Sequence, residues 1–154
     1  MAAILKISED FYDDSFALIA LHCTLEDYAI VYALNRDLKA GFKRASKDLV
    51  LTEPICFPFF EWKDDVNDRY WALIANYSVK EVYSAGEDLF VNEPSYTKHY
   101  LLSEYKEVDY FLKIEQDDLD HLDEVLKVLL KMPKIVTAYK LDPQKLKSKN
   151  HLIF

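Results

Sequence analysis

Glycine is scarce in this chain, where only Gly41 and Gly86 occur among 154 residues. Two isolated glycines cannot form the glycine-rich loops that hold phosphate groups, so nucleotide-binding motifs of that kind are excluded. Cysteine is equally rare. Cys23 and Cys56 each lie in an apolar stretch, which is typical of buried free thiols, although a disulfide between them stays open. No apolar run approaches the roughly 20 residues that a membrane-spanning helix needs.

Positive charge is also in deficit, since 19 Lys and Arg face 27 Asp and Glu for a net charge of -8. Nucleic-acid binders usually carry a basic excess, so we expect no nucleic-acid partner. The deficit is uneven: residues 134–154 hold five lysines against one aspartate, or +4, which leaves -12 for the rest. The basic end could pair head to tail or dock an acidic partner, although a solvated surface is the simpler interpretation.

The chain does contain an ample apolar fraction, 51% of its residues, with 11 Tyr, 9 Phe and 2 Trp. This composition favours a folded globular protein over a disordered or membrane chain. The length predicts a single domain over 1–154, with a lysine-rich C-terminal segment over 142–154. The first residues lack the basic region and long apolar core of a signal peptide, so we expect a cytoplasmic protein with no membrane partner.

The first third of the chain predicts one buried strand and one helix. Phe16–Leu21 is a continuous apolar run, which suits a strand buried on both faces. Thr24 and Asp27 approximate a capping box. Apolar residues then recur at helical spacing, which predicts a helix from about Thr24 to Leu38 that ends near Gly41.

The middle of the chain predicts strands. The aromatic segment Phe57–Trp62 contains a proline, which places it at a sheet edge or a strand start, and Arg69–Val79 is typical of a central strand. Asp64–Asp68 lies between them and is predicted to be the turn of a hairpin, because Asp and Asn favour turns. A calcium loop is excluded, because the segment lacks the Gly and Glu that such a loop requires at its sixth and twelfth positions. A loop over 84–95 and a strand over Tyr96–Leu102 follow.

The last third predicts a β-α-β unit. Apolar and polar residues alternate over Val108–Glu115 as in a strand. Asp117 or Asp118 then caps a leucine-rich helix that ends at Pro133, and Ile135–Leu141 is the next strand. We therefore predict an α+β fold, with two helices packed on one face of a mixed, largely antiparallel sheet that includes this C-terminal β-α-β unit.

Residues with obvious chemistry do not form a recognisable set. The four histidines stand apart from one another and from other metal ligands: His22, His99, His121 and His151. There is no nucleophile elbow and no cysteine in a known nucleophile signature. We therefore assign no catalytic residue, no metal site and no cofactor.

One segment carries a resemblance to a known family. Residues 102–110 read Leu-Ser-Glu-Tyr-Lys-Glu-Val-Asp-Tyr, which resembles the Ile-Pro-Glu-x-x-x-Val-Asp-Tyr motif that names a family of small bacterial proteins. Leucine replaces the motif's isoleucine and serine replaces its proline. The matching residues are Glu104, Val108, Asp109 and Tyr110. The resemblance extends to the acidic start, the final β-α-β unit and residues 147–154, and thus over most of the chain. It implies a cytoplasmic protein of a family without an established activity.

The motif has two interpretations. On a strand, Val108 and Tyr110 face one side and Asp109 faces the other, where its carboxylate can accept hydrogen bonds from backbone amides of a neighbouring loop. Glu104 can do the same for the turn before it. This structural interpretation is the one we favour, but if the protein has a ligand or partner site, Glu104, Asp109 and Tyr110 are the residues we expect to form it.

Three functions follow as hypotheses. The first is a non-catalytic binding or protein-interaction protein, in the form of a homodimer or with another protein as partner, because tyrosine and tryptophan are enriched at protein contacts. The alternative is a small-molecule-binding regulatory domain, suggested by the β-α-β topology alone. The third is an enzyme that uses carboxylates, for which no pair stands out in the sequence.

Overall fold

The computed structural model describes residues 16–52, 55–82, 95–116 and 121–154. In these residues two α-helices, ten β-strands and three 3-10 helices follow one another. The strands are β1 (Ala17–Cys23), β2 (Lys43–Arg44), β3 (Leu49–Thr52), β4 (Ile55–Phe57), β5 (Phe59–Asp64), β6 (Arg69–Ala75), β7 (Tyr77–Val82), β8 (Ser95–Tyr100), β9 (Tyr110–Gln116) and β10 (Ile135–Leu141). The helices are α1 (Asp27–Asp37) and α2 (Leu122–Lys131), and the 3-10 helices are Ser103–Tyr105, Pro143–Lys145 and Lys149–Leu152.

Six strands form the main sheet, in the order β10-β1-β9-β6-β5-β2. Each of its ladders is antiparallel, which confirms the predicted α+β class and its largely antiparallel sheet. β1 and β6 lie in the interior of the sheet, as their apolar sequences predict. β3 with β4 and β7 with β8 form two separate antiparallel pairs.

The C-terminal β-α-β unit is present, but its two strands are not neighbours. β1 lies between β9 and β10 and runs antiparallel to both, so β9 and β10 are parallel to each other without sharing hydrogen bonds. β1 and β6, which flank β9, are likewise parallel to each other without sharing hydrogen bonds. The elements β1, α1, β6, β9, α2 and β10 thus have the connectivity of a ferredoxin-like, split β-α-β core. β2 to β5 are inserted before β6, and β7 and β8 are inserted between β6 and β9.

Both helices pack on one face of the sheet, as predicted, and we call this the helix face. Ile30 and Leu34 of α1 and Leu129 of α2 are buried there against strand residues such as Leu21 and Leu112. Their burial removes apolar surface from water, which is the main stabilising term of such a layer. The helix face therefore holds the larger of the two cores.

Connecting segments cover the opposite face of the sheet. Phe57 of β4 and Leu101 lie in this second core, and the lysine-rich C-terminal segment contributes Leu146 and Leu152. The segment is thus more than a solvated surface, because its lysines alternate with leucines that are buried. Of the aromatic residues on this side, Phe154 packs edge-on against Phe59, with ring centroids 5.2 Å apart.

The ends of α1 differ from the prediction. The helix begins at Asp27 with Glu26 as its N-cap residue and without a side-chain capping hydrogen bond, so the predicted capping box at Thr24 is wrong. Its end is followed by Lys39, which takes the left-handed conformation with φ 53° that was expected near Gly41. The glycine serves packing instead: a Cβ at Gly41 would lie 3.2 Å from Trp62 Cδ1 and Nε1.

Several predicted strands are shorter than expected. The segment predicted over 69–79 is divided at Asn76, and the one over 57–62 is divided at Pro58, which cannot donate to a ladder. Val108 precedes β9 and is buried on the opposite face from Tyr110, so the predicted alternation begins only at Tyr110. Most of the predicted 84–95 loop and the predicted cap at Asp117 or Asp118 lie outside the described residues.

The second helix, α2, ends where the sequence predicts, but one of its leucines is exposed. Its C-cap residue is Met132, directly before the proline. Leu130, one of the leucines of this helix, has 54% of its surface exposed. No described helix is both long enough and apolar enough to cross a membrane.

Candidate functional site

Asn76 organises the segment that contains the motif. This residue interrupts the β6–β7 strand run and is fully buried. Its side-chain amide donates to the carbonyls of Tyr105 and Val108, at 2.7 and 2.8 Å, and its Oδ1 accepts from the amide of Leu102 at 3.0 Å. Its backbone amide also donates to the carbonyl of Asp109. A single buried side chain thus satisfies three backbone groups of a loop that has no ladder partner.

Asp109 and Tyr110 join the start of β9 to the end of β1. Asp109 Oδ2 accepts from the amide of Cys23 at 2.9 Å, so the carboxylate satisfies a backbone donor just where the ladder ends, in the manner predicted. The Tyr110 hydroxyl donates to the carbonyl of Leu25 at 2.7 Å. Burial, followed by the nearby Cys23 and Asp27, raises the pKa of Tyr110, so the phenol stays a neutral donor.

Glu104 bonds to a different segment from the one predicted. Its two carboxylate oxygens accept from the amide and the hydroxyl of Ser148, both at 3.0 Å, instead of from the turn before it. Partial burial acts to raise the pKa of Glu104, but the hydrogen bonds from Ser148 and nearby amides outweigh it, so the pKa lies below its ordinary value. The ionised carboxylate therefore fastens the lysine-rich C-terminal segment to the motif.

The three motif side chains point to different parts of the molecule. Tyr110 lies in the core of the helix face, and Asp109 lies at the end of β1. Glu104 contacts Ser148, between the two leucines that the C-terminal segment buries on the opposite face. This placement joins three segments of the fold. It does not direct the three polar groups into one cleft.

The thiols and histidines do not form a reactive set in the part of the chain that is described. Burial is the main cause that raises the pKa of the Cys23 thiol, with a smaller contribution from Asp109, which disfavours a thiolate nucleophile. Among these residues, no three His, Cys, Asp or Glu side chains come together as a metal site would require. His22 instead bonds to the Tyr139 hydroxyl at 2.9 Å, and His151 Nδ1 donates to the carbonyl of Leu101 at 2.7 Å.

Lys113 is the one buried charged side chain in the described residues, with 1% of its surface exposed. Its Nζ lies 2.9 Å from a carboxylate oxygen of Glu115. The rings of Phe154 and Phe16 flank it, with centroids at 4.2 and 5.1 Å. One carboxylate and two aromatic faces replace the water that this ammonium group loses. The arrangement is an ion pair between a buried ammonium group and a partly exposed carboxylate.

Sequence reasoning missed both Asn76 and Lys113. A signal for each was present, since Asn76 interrupts the apolar stretch Trp71–Tyr77 and Lys113 interrupts the apolar stretch Tyr110–Ile114, and such residues need partners when buried. The partners come from segments 26 to 32 residues away for Asn76, and linear order does not reveal them.

No protein-family model, curated protein or solved structure matches this chain.

Proposed function

We propose that this protein is a non-catalytic, cytoplasmic interaction protein that pairs with a second copy of itself through the outer edge of β10. The observation that carries the proposal is the position of β10. It is a seven-residue strand at the end of the main sheet, and its outer side has no strand partner among the described residues. Unpaired edges of this length are templates for adding another strand.

The backbone direction supports the proposal. The Leu21 carbonyl accepts from the amide of Asp109, so Leu21 directs its backbone groups towards β9. Because these groups alternate along a strand, Ala20 directs its own towards its β10 partner, Tyr139. The amide and carbonyl of Ala138, next to Tyr139, therefore face outward and are available to another strand.

The surface at this edge is partly apolar. Val136 of β10 is 75% exposed, and Leu130 of the adjacent α2 is 54% exposed. The two elements pack on each other, so both exposed side chains belong to the same edge of the domain. Association that covers exposed apolar side chains is favourable. Burial of Val136 and Leu130 would therefore add to the binding free energy of edge pairing.

Charge favours one arrangement of the two copies. Lys134 precedes β10 and Asp142 follows it. In antiparallel pairing centred on Ala138, each Lys134 comes beside the partner's Asp142, and opposite charges across a strand pair are stabilising. Pairing centred on Thr137 would instead bring Lys134 beside the partner's Lys140, which is unfavourable. Lys140 already has a partner within its own chain, Asp123 at 2.6 Å.

The test is the molar mass of the purified chain in sedimentation equilibrium. We expect twice the chain mass, and a monomer for Ala138→Pro, because proline removes the outward amide. Because Ala138 is buried and proline restricts the backbone there, Lys134→Glu provides a second variant that keeps the backbone intact. Its dimer dissociation constant should rise about tenfold, because the change makes two attractive charge pairs between Lys134 and Asp142 repulsive.

The matched control is Lys47→Glu, which makes the same charge change at an exposed lysine between β2 and β3. It should leave the dimer unchanged. A wild-type chain that stays monomeric at high concentration contradicts the proposal, as does equal weakening by Lys134→Glu and Lys47→Glu.

We also propose membership in the motif-named family and location in the cytoplasm. Asp109 and Tyr110 both bond to the segment at the end of β1, and Glu104 bonds to the C-terminal segment, which gives the motif a structural purpose. Cys23 and Cys56 are free thiols, as is usual in a reducing compartment. If the motif is structural, Glu104→Gln and Asp109→Asn should lower the free energy of unfolding and leave the dimer dissociation constant unchanged.

A further inference from the structure

We infer that a depression beside β2, at the other edge of the sheet, is a binding site for a small organic anion that carries a flat ring. The depression has a volume of about 540 Å³, within the usual range for small-molecule sites. Its lining includes Gly41, Lys43, Arg44, Ser46, Trp62 and Lys63. The inference goes beyond self-association and uses none of the same residues.

The charge of the depression opposes that of the protein. Three cationic side chains line it, and Glu61 is the only acid among the described residues of its lining, in a chain whose net charge is -8. Lys43 forms no ion pair with any residue that the structure describes, and Lys63 lies 3.9 Å from Glu61, at the limit of an ion pair. Two ammonium groups can therefore turn towards a bound anion.

Arg44 is held in place beside them. Its guanidinium donates to the carbonyl of Phe59 and is paired with Asp48. These bonds fix its orientation before any ligand arrives, which lowers the entropy cost of binding. Phosphate and carboxylate are the groups that such a cation set recognises.

Trp62 provides the surface for the ring. Its indole is fixed by Trp71, which packs edge-on with centroids 5.3 Å apart, and by the Arg69 guanidinium 5.0 Å from the ring centroid. The backbone at Gly41 lies close to Nε1 and Cδ1. Nε1 donates to no described residue, and no side-chain nitrogen in the described part of the chain is buried without a partner, so this N–H faces solvent and can donate to a ligand.

The Trp62 indole N–H is therefore the reporter for a test. Nitrogen-15 NMR on the dimeric or monomeric wild-type chain distinguishes it from the indole of Trp71, which donates to Gln116 at 3.0 Å. The probes are adenosine 5′-monophosphate, indole-3-carboxylate and inorganic phosphate at constant ionic strength, each up to about 5 mM, which detects dissociation constants in the millimolar range. We expect the Trp62 signal to move with at least one ring-bearing anion, and that of Trp71 to stay.

The relative affinities of the three probes indicate the chemical class of the ligand. Tighter binding of the nucleotide indicates an organic phosphate, and tighter binding of the indole acid indicates an aromatic carboxylate. Equal affinities for inorganic phosphate and both ring-bearing anions would overturn the inference, because no ring contact would then exist.

Charge reversal supplies the matched control. Lys43→Glu should weaken binding about tenfold or more, whereas Lys47→Glu, at an exposed lysine outside the depression, should leave the affinity unchanged. Equal losses in the two variants, or no movement of the Trp62 signal with any probe, would overturn the inference.

Discussion

The side-chain amide of Asn76 donates to the carbonyl of Val108 over 2.8 Å, and both groups are buried. This bond joins the end of β6 to the residue two before β9. Together with the bonds from Asn76 to Tyr105 and Leu102, it replaces the ladder that the motif loop lacks. The conformation of the whole motif therefore depends on a residue about 30 positions earlier in the chain.

Replacement of Asn76 should be among the most destabilising single changes in the chain. Asn76→Ala leaves the buried carbonyl of Val108 and the buried amide of Leu102 without partners, at about 1–3 kcal/mol for each unsatisfied group, whereas the carbonyl of Tyr105 still accepts from the amide of Val108. We expect a total loss of about 3–5 kcal/mol in the free energy of unfolding, measured with urea, because the site can relax in part. Asn67→Ala, which removes an exposed asparagine that bonds to Asp64, should cost less than about 1 kcal/mol. Similar losses in the two variants would contradict the role of Asn76.

The ion pair between buried Lys113 and partly exposed Glu115 predicts opposite effects for its two members. Lys113→Met replaces the ammonium group with an apolar group of similar length between Phe16 and Phe154, and it should leave stability unchanged or raise it by about 1–2 kcal/mol. Glu115→Gln keeps the cation buried without its counter-ion and should lower stability by about 1–3 kcal/mol. Thermal unfolding at pH 7 measures both, and a large loss in Lys113→Met would show that the ammonium group itself is required.

The Glu104–Ser148 contact predicts a dependence on pH. Folding lowers the pKa of Glu104 from its ordinary value of 4.5, so its contribution to stability is complete above that value and is lost as the pH falls through the folded pKa. Glu104→Gln should therefore be less stable than wild type at pH 7, and the difference should shrink in acid below pH 4.5. Urea unfolding of both chains between neutral and acidic pH tests this, and a difference that stays constant through the acid range would contradict it.

Much of the fold follows from periodicity. The apolar run at Phe16–Leu21 and the segment Ile135–Leu141 both form strands of the main sheet, because their residues suit burial and pleating better than any helix. Pro133 ends α2 as predicted, since proline cannot continue a helix. These features depend on neighbouring residues alone, which is why sequence reasoning reaches them.

The remaining features depend on contacts between distant segments. Nothing local places β1 between β9 and β10, because strand order is set by which apolar faces meet. The bond from Glu104 to Ser148 spans 44 residues, so the local role predicted for this carboxylate was wrong even though its role as an acceptor of amide hydrogen bonds was right. The pairs formed by Asn76 and Lys113 could not be predicted for the same reason.

Amide hydrogen exchange at Ala138 tests the central claim, edge pairing through β10, most directly. This amide points away from β1 and has no acceptor on another described strand, so we expect it to exchange rapidly unless a second strand covers it. The account predicts that its protection increases as the protein concentration rises from about 10 μM to about 1 mM, and that Lys134→Glu reduces this increase. Rapid exchange at Ala138 across the whole range, in a chain whose Tyr139 amide stays protected, would contradict it.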